Sequence, residues 1–472
     1  MDKLQNLHTR YTGFHADEIQ EILTLSGSNR RYFRLIGEKS LIGVIGTSED
    51  ENNAFIYMAN HFRKKGLPVP EVYCYSEDKL YYLQEDLGDT LLFDAIEKGR
   101  QNGLFDEEER ILLHKTISLL PSIQIKGAED FDFSKCYPHP ELDNRSILWD
   151  LNYFKYCFLK ATGLEFHEGR LEDDFNQLCK VLIQNHSATF LYRDFQSRNV
   201  IIKDGDPYFI DFQGGRKGPV YYDIASFLWQ AKAGYPKELR DELLSSYFNA
   251  LRLYIPVDEA DFRNQLRHFV LFRILQTLGA YGFRGYFEKK PHFIQSVPLT
   301  IANLKEMLVE GYTEYPYLCD VLYKLTELKQ FSEEHKTRVL EVKIISFAYK
   351  KGIPADSSGN GGGYVFDCRS INNPGRDERY KSFTGLDKQV IRFLEEESEV
   401  STFLDHVYKL VDVSVQCFVN RGFMNLMVCF GCTGGQHRSV YCAQQLAQYL
   451  HKKFGVKINL IHRELNVEFK QL

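Results

Sequence analysis

The sequence predicts an α+β domain over residues 1–328, a linker over 329–340 and a smaller α/β domain over 341–472. Three observations lead there. Roughly the first 90 residues hold short β-rich runs around one helical stretch, and helical patterning then dominates to about residue 328. The polar run Gln330-Phe331-Ser332-Glu333-Glu334-His335-Lys336 breaks that rhythm. Beyond it, apolar strands and amphipathic helices alternate, the order of an α/β unit.

In chain order, Tyr32–Ile36 and Leu41–Ile45 read as strands separated by the turn Gly37-Glu38-Lys39. A helix follows over Asn53–Lys65, ended by Gly66 and Pro68. Leu80–Gln84 is another strand and leads into Glu85-Asp86-Leu87-Gly88. After a mainly helical stretch, Val200–Ile202 and Tyr208–Ile210 flank the turn Asp204-Gly205-Asp206-Pro207, and helices resume at Asp223. In the second part Lys343–Phe347, Tyr364–Asp367, Asn425–Phe430 and 456–462 read as strands. Lys388–Glu397, Val400–Asn420 and 439–453 read as helices, and Gly359–Gly363 as a loop.

Composition bounds the function. At 44% hydrophobic and 26% charged, the 472 residues have an ordinary globular profile. No apolar run approaches the ~18 residues that cross a bilayer, and Met1–Phe14 holds no apolar leader. The expectation is a cytoplasmic protein with no membrane partner. The ten cysteines are irregularly spaced, and Cys74, Cys157, Cys179 and Cys442 sit inside apolar segments, so no disulfide framework is expected. Cys429–Cys432 is a single C-x-x-C pair, too little for a structural zinc site. From Arg338 onward there are 18 Lys+Arg against 14 Asp+Glu, a net +4, while the remainder has 40 against 50, a net −10. The basic part permits phosphate or nucleic-acid binding without requiring it.

The strongest motif in the first part is Leu191-Tyr192-Arg193-Asp194-Phe195-Gln196-Ser197-Arg198-Asn199, followed twelve residues later by Asp211-Phe212-Gln213-Gly214. Phosphoryl transfer needs positioning and charge compensation more than covalent chemistry. Asp194 suits the carboxylate that takes the proton of an attacking hydroxyl. Asn199 and Asp211 offer oxygen ligands for a hard cation, Mg²⁺, and the hairpin between them lets two distant positions converge. Asp and Asn at loop ends are also common turn formers; the spacing, the hairpin and the D-F-x-G run occurring in order favour the catalytic reading.

These residues resemble the kinase-fold aminoglycoside phosphotransferase and choline kinase superfamily. With Gly218-Pro219 and Tyr222-Asp223-Ile224-Ala225-Ser226 they resemble more narrowly its cell-wall recycling branch, anomeric kinases of N-acetylmuramate and N-acetylglucosamine. The resemblance covers roughly residues 1–325 and implies a two-lobed protein-kinase-like fold, ATP and Mg²⁺ as cofactors, and an amino-sugar acceptor. It implies Asp194 as catalytic base and Asn199 with Asp211 as metal ligands. It also implies nucleotide contacts from Gly27, Ser28, Asn29 and Arg30 in a phosphate-covering hairpin, and from Gln84, Glu85 and Leu87 in the hinge. Asp223 would brace the catalytic loop. Tyr192 stands where many kinases have His. Strand Leu41–Ile45 carries no interior Lys for the phosphates, Lys39 lies before it, and Arg30 or Arg31 are the nearest substitutes.

The second motif is Val428-Cys429-Phe430-Gly431-Cys432-Thr433-Gly434-Gly435-Gln436-His437-Arg438-Ser439-Val440. An apolar strand running through a Gly-rich loop into a helix makes an anion site, with Arg438 and His437 adding positive charge. Three chemistries compete. Cys432 and Arg438 satisfy the C-x5-R pattern of cysteine phosphatases; the C-x-x-C pair could be redox-active; or the loop binds a phosphorylated ligand without reaction. The loop, with Phe366-Asp367-Cys368-Arg369, Asn373-Pro374, Thr384-Gly385-Leu386-Asp387 and His462-Arg463, resembles the C-terminal domain of the RNase adapter protein family over about 342–465. That resemblance implies a sugar-phosphate pocket from Lys350, Asp367, Arg369, Cys432, Thr433, Gly434, Gly435, His437, Arg438 and Ser439, with a glucosamine-6-phosphate-like ligand. It further implies RNA and further copies of the chain as partners. Gly375 replaces the family's His after Asn373-Pro374, the family's basic tail is missing from Val467–Leu472, and no G-x-x-x-x-G-K-[ST] occurs, so metabolite binding carries over better than RNA binding.

The combined expectation is an ATP-dependent amino-sugar kinase fused to an amino-sugar-phosphate sensing domain. A non-catalytic nucleotide-binding adapter and a C-terminal cysteine phosphatase are the alternatives.

Overall fold

The computed structural model describes residues 2–22, 30–184, 188–288, 290–294, 296–331, 340–356, 358, 362–421 and 423–470. The chain divides into two compact units, one of residues 1–287 with 296–328, the other of 288–295 with 329–472. Most of the expected linker lies outside the described residues.

The first unit is two-lobed and kinase-like. Its N-terminal lobe is an antiparallel sheet of β1 (Glu18–Ile22), β2 (Arg31–Ile36), β3 (Leu41–Ile45), β4 (Val72–Tyr75) and β5 (Tyr81–Glu85), ordered β1-β2-β3-β5-β4. Side chains alternate across a strand. Phe33 and Leu35 of β2 and Leu83 of β5 pack in one buried cluster with Leu4 and Leu7 of a helix at Asp2–Thr12. Arg30, Tyr32 and Arg34 fall on the other parity, with Tyr82 and Gln84 of β5. The expectation of one helix in this region is therefore corrected. Leu4 and Leu7 in an otherwise polar segment are enough to cover one sheet face, because the sheet supplies the partner surface.

The second helix, Glu49–Lys64, begins at Ser48, whose hydroxyl accepts from the Glu51 backbone N–H at 3.3 Å. Phe55 on this helix stacks on Tyr82 and on Phe212, with ring centroids 5.2 and 5.0 Å apart.

The C-terminal lobe is helical, built around Glu107–Gln124, Asn144–Tyr153, Glu168–Gln184, Tyr221–Leu228, Lys237–Leu251 and Glu259–Gly282. Two small ladders carry the loops: β6 (Phe190–Leu191) with β9 (Arg216–Lys217), and β7 (Val200–Lys203) with β8 (Asp206–Phe209). Asp204 and Gly205 turn the β7–β8 hairpin, both with positive φ.

In the second unit β10 (Glu341–Ala348), β11 (Tyr364–Asp367), β12 (Asn425–Cys432), β13 (Lys457–His462) and β14 (Val467–Lys470) form a sheet ordered β11-β12-β10-β13-β14. All pairs are parallel except the edge pair β13–β14. Helices Lys388–Glu397, Val400–Arg421 and Arg438–Phe454 contribute Val390, Leu394, Val407, Val411, Leu446 and Leu450 to a core with Val342, Ile344, Val428 and Phe430 of the strands. β14 was not foreseen; its four residues pair only with β13.

Candidate functional site

The β7–β8 hairpin brings the two halves of the first motif together. Ile210 donates its backbone N–H to the Asn199 carbonyl at 3.0 Å, so Asn199 and Asp211 meet at the open end of the hairpin. Arg193 and Asp211 have φ of +77° and +67°. Left-handed backbone at non-glycine residues costs energy and persists only where the surroundings over-determine it. Here Asp223 supplies that support: its carboxylate accepts from the Tyr192 and Arg193 backbone N–H groups, both at 2.9 Å, and from Gln124 Nε2 at 3.2 Å. Burial lifts the Asp223 carboxyl to about 6 against the pull of those donors. The Tyr192 hydroxyl donates to the Ile210 carbonyl, tying the loop to the strand end as the usual His would.

Asn199 Nδ2 donates to the Asp194 carbonyl at 2.7 Å, which leaves its amide oxygen available to a cation. Burial, and then the charge of Asp194, hold the Asp211 carboxyl above its ordinary range. Two carboxylates within electrostatic reach are satisfied by an intervening cation. Gln213 Nε2 donates to Asp211 Oδ1 at 2.8 Å, while Gln213 Oε1 is buried without a partner. This donor set, carboxylate and amide oxygens with an orphaned acceptor beside them, fits a hard divalent cation. Among the described residues no cluster of three or more His, Cys, Asp or Glu stands ready for a metal. A cation here would complete its shell with phosphate oxygens and water.

Gly27, Ser28 and Asn29 lie outside the described residues. Arg30 is 4% exposed, and its Nη2 is 3.3 Å from Glu51 Oε1 and from the Glu51 carbonyl. Its guanidinium lies 5.7 Å from the centre of the Phe55 ring. Burial opposes its charge, but Tyr82, Tyr32, Glu51 and Asp211 outweigh that and raise its pKa. Arg31, by contrast, is exposed and pairs with Glu21 at 2.8 Å. Sequence reading placed both on equal terms; strand parity separates them.

At the hinge, Gln84 is buried with Oε1 unpartnered, and Leu87 is buried. Glu85 accepts from Lys203 Nζ at 2.8 Å, linking the lobes. A feature absent from the sequence reading lies beside it: Arg34 forks onto Asp86 and Asp89, with four contacts of 2.7–3.1 Å.

In the second unit the parallel register puts Asp367 opposite Gly431 and Ala348 opposite Cys432. Lys350, Asp367, Arg369 and the 433–437 loop thus gather at the C-terminal edge of one sheet, where open α/β sheets bind ligands. They are not equivalent. Cys432 and Ser439 are buried, their side chains 3.2 Å apart, and Gly435 N–H donates to Cys432 Sγ at 3.2 Å. Arg438 Nη1 donates to the carbonyls of Arg369 and Ile371 at 3.0 and 2.9 Å. His437 Nε2 bonds the Tyr380 carbonyl at 3.1 Å. These four brace the loop, and the C-x5-R spacing does not turn the Arg438 guanidinium to the thiol. Thr433 and Gly434 are exposed at the loop tip. Arg369 pairs with Asp367 at 2.6 Å and lies over the Tyr349 ring at 4.2 Å.

The chain belongs to the phosphotransferase enzyme family, whose model matches residues 21–259. Residues 340–466 match the RapZ C-terminal domain. Among curated relatives, a nucleotide-binding protein of Glaesserella parasuis serovar 5 is 35% identical over 179 residues, 36% of this chain and 59% of the relative. One of Fervidobacterium nodosum is 35% identical over 143 residues, 30% and 48% of the two chains. The chain spans about half the length of the curated relatives it matches. Among solved structures, a choline kinase from Cryptosporidium parvum Iowa II aligns at TM-score 0.47 and 13% identity, covering 68% of this chain and 99% of that one. An ADP-bound aminoglycoside phosphotransferase, APH(2'')-Ib, aligns at 0.44 and 14%, covering 65% and 97%. No helix among the described residues is long and apolar enough to cross a membrane.

Proposed function

We propose that the first unit transfers the γ-phosphate of ATP to a hydroxyl of an amino sugar, N-acetylmuramate or N-acetylglucosamine, at C1. The observation that carries this reading is the convergence of Asp194, Asn199 and Asp211 at the end of the β7–β8 hairpin. Asp194 takes the proton of the acceptor hydroxyl as its oxygen bonds to the γ-phosphorus. The bond from that phosphorus to the β–γ bridging oxygen breaks, and its electron pair leaves with ADP. Asn199 and Asp211 would hold Mg²⁺, which offsets phosphate charge when bound. Arg30 supplies the fixed cation that the strand-borne Lys supplies in other kinases. It does so from the start of β2, and Glu51 on the second helix holds it there. Gln84 Oε1 is an acceptor suited to the amino group of adenine, next to hinge residues Glu85 and Leu87. Incubation with labelled ATP, Mg²⁺ and a sugar panel, beside Asp194→Ala, tests the reading. Label on an amino sugar that disappears in the variant is expected, and ATP binding with no transfer to any sugar would move the function to a nucleotide-binding adapter.

For the second unit we infer an amino-sugar-phosphate site at Thr433, Gly434 and the N-terminus of helix Arg438–Phe454, flanked by Lys350 and Arg369. A ligand such as glucosamine-6-phosphate bound there would adjust the kinase. Equal kinase rates with and without saturating ligand would count against that coupling. The buried Cys432 and the carbonyl-bound Arg438 favour binding over cysteine phosphatase chemistry.

A further inference from the structure

A cavity of about 70 Å³ opens beside the catalytic loop, lined among others by His139, Trp149, Asp150, Arg193, Arg216 and Tyr222. Its position follows from sequence: Arg193 directly precedes Asp194, and the β6–β9 ladder sets Arg216 opposite Leu191, two residues before Arg193. Arg216 is 3% exposed, with Nε and Nη2 both donating to the Gly214 carbonyl at 3.2 Å. Gly215 leaves no room for adjustment, since a Cβ there would lie 2.2 Å from the Phe190 ring.

The charges in this cavity do not balance. Among the described residues neither Arg193 nor Arg216 makes a salt bridge, although Asp150 lines the same space. The Asp150 carboxylate is turned to Gln276, whose Nε2 donates at 2.5 Å, and Gln276 Oε1 accepts from Tyr222 and from a third guanidinium, Arg273. Burial, and next the neighbouring Arg193, lower the Arg216 pKa to about 10. Asp150 is the one carboxylate lining the space, and it faces Arg193, Arg216 and Arg273 together, while Tyr222 and Asp194 help hold the Arg193 charge. Positive charge is in excess over that single carboxylate, and an oxyanion that presents two oxygens would offset it. The space fits a carboxylate and is too small for a sugar ring. A ring would rest outside it, near Trp149, which is 49% exposed, lies 5.1 Å from the His139 ring and has the Arg145 guanidinium 4.8 Å from its ring centre.

We propose that Arg193 and Arg216 form an acceptor subsite that binds a carboxylate on the sugar and selects anionic acceptors over neutral ones. The proposal rests on the kinase reading above. The test compares N-acetylmuramate with its methyl ester, which removes the charge and adds one methyl group, and with N-acetylglucosamine and its 6-phosphate. Binding is read by titration calorimetry and transfer by kcat/KM, on wild type and Arg216→Gln. In wild type the acid binds and reacts at least tenfold better than the ester, and Arg216→Gln brings that ratio near one. Equal handling of acid and ester by wild type, or no binding of the acid, overturns the subsite whatever the variant does. Preference for the 6-phosphate overturns the carboxylate assignment. Acid-selective binding without transfer to any sugar supports the subsite while refuting the kinase.

Discussion

Arg30→Ala removes the cation proposed to stand in for the missing strand lysine, and its consequences can be worked from the geometry. The guanidinium lies 3.3 Å from Glu51 Oε1. Two unit charges at that distance attract by about 5 kcal/mol at an effective dielectric of ~20, before the desolvation of a nearly buried Arg is subtracted. Glu51 keeps 30% of its side chain exposed and regains water when Arg30 is lost. The net stability change is therefore about 1–3 kcal/mol, including ~0.5–1 kcal/mol from the Phe55 contact. Loss of a preorganised charge on the nucleotide phosphates, where negative charge builds on the leaving group, costs more, roughly 10²–10³-fold in kcat. Steady-state phosphotransfer at saturating ATP, with a thermal melt of each variant, separates the two effects. Arg30→Lys should recover part of kcat, and Arg31→Ala, which breaks only the exposed pair with Glu21, should stay within about threefold and ~1 kcal/mol. An Arg30→Ala enzyme that melts lower yet turns over within threefold of wild type would refute the reasoning, leaving Arg30 a structural strut.

Three further outcomes follow from the geometry of the two units. Asp194→Asn keeps the side-chain shape and should lower kcat by about 10²–10⁴-fold with ATP binding retained by calorimetry. Buried His462, bonded to Ser346 Oγ at 2.9 Å, has its pKa lowered to about 4 by burial. The unfolded chain then binds more protons between pH 6.5 and 4, so this stability is full above about 6.5 and lost as pH falls toward 4, some 3 kcal/mol in all; urea titrations of His462→Gln should show a flatter slope in that window. Gly435→Ala should cost about 1–3 kcal/mol and abolish glucosamine-6-phosphate binding by calorimetry, because φ is +70° and the new Cβ would lie 2.9 Å from the Ala348 nitrogen; wild-type affinity in that variant would remove the loop from the site.

The division into an α+β unit and an α/β unit was legible because both depend on local periodicity, whereas the kinase-like character came from the resemblance carried by residues 191–199 and 211–226. The helix and strand spans of the second part differ from expectation by a residue or two at their ends. The segments that escaped owe their structure to a partner surface. Asp2–Thr12 is too short and polar to announce a helix, and it exists because Leu4 and Leu7 meet a sheet face. At the sites the same division holds. Asp194, Asn199 and Asp211 were visible from spacing, whereas Asp150 and Arg216 join the catalytic loop through a helix and a two-residue ladder that no local signal records.

The strand lysine shows where more could have been read. Its absence from β3 left Arg30 and Arg31, at the start of β2, as equal candidates to replace it. Yet β2 carries its own answer in period two: Phe33 and Leu35 are the apolar positions, so they must face the core, and Arg30, Tyr32 and Arg34 must share the opposite side. That alternation puts Arg30 and Arg31 on opposite faces, and a cation buried as Arg30 is needs an acid within reach. Glu51, one turn into a helix capped by Ser48, is that acid. On the proposed reading, the charge absent from β3 is supplied from the start of β2, since a cleft that needs a fixed cation near the phosphates does not demand which strand delivers it. The ion pair to the helix is thus the feature to look for in other kinase-like sequences that lack the lysine.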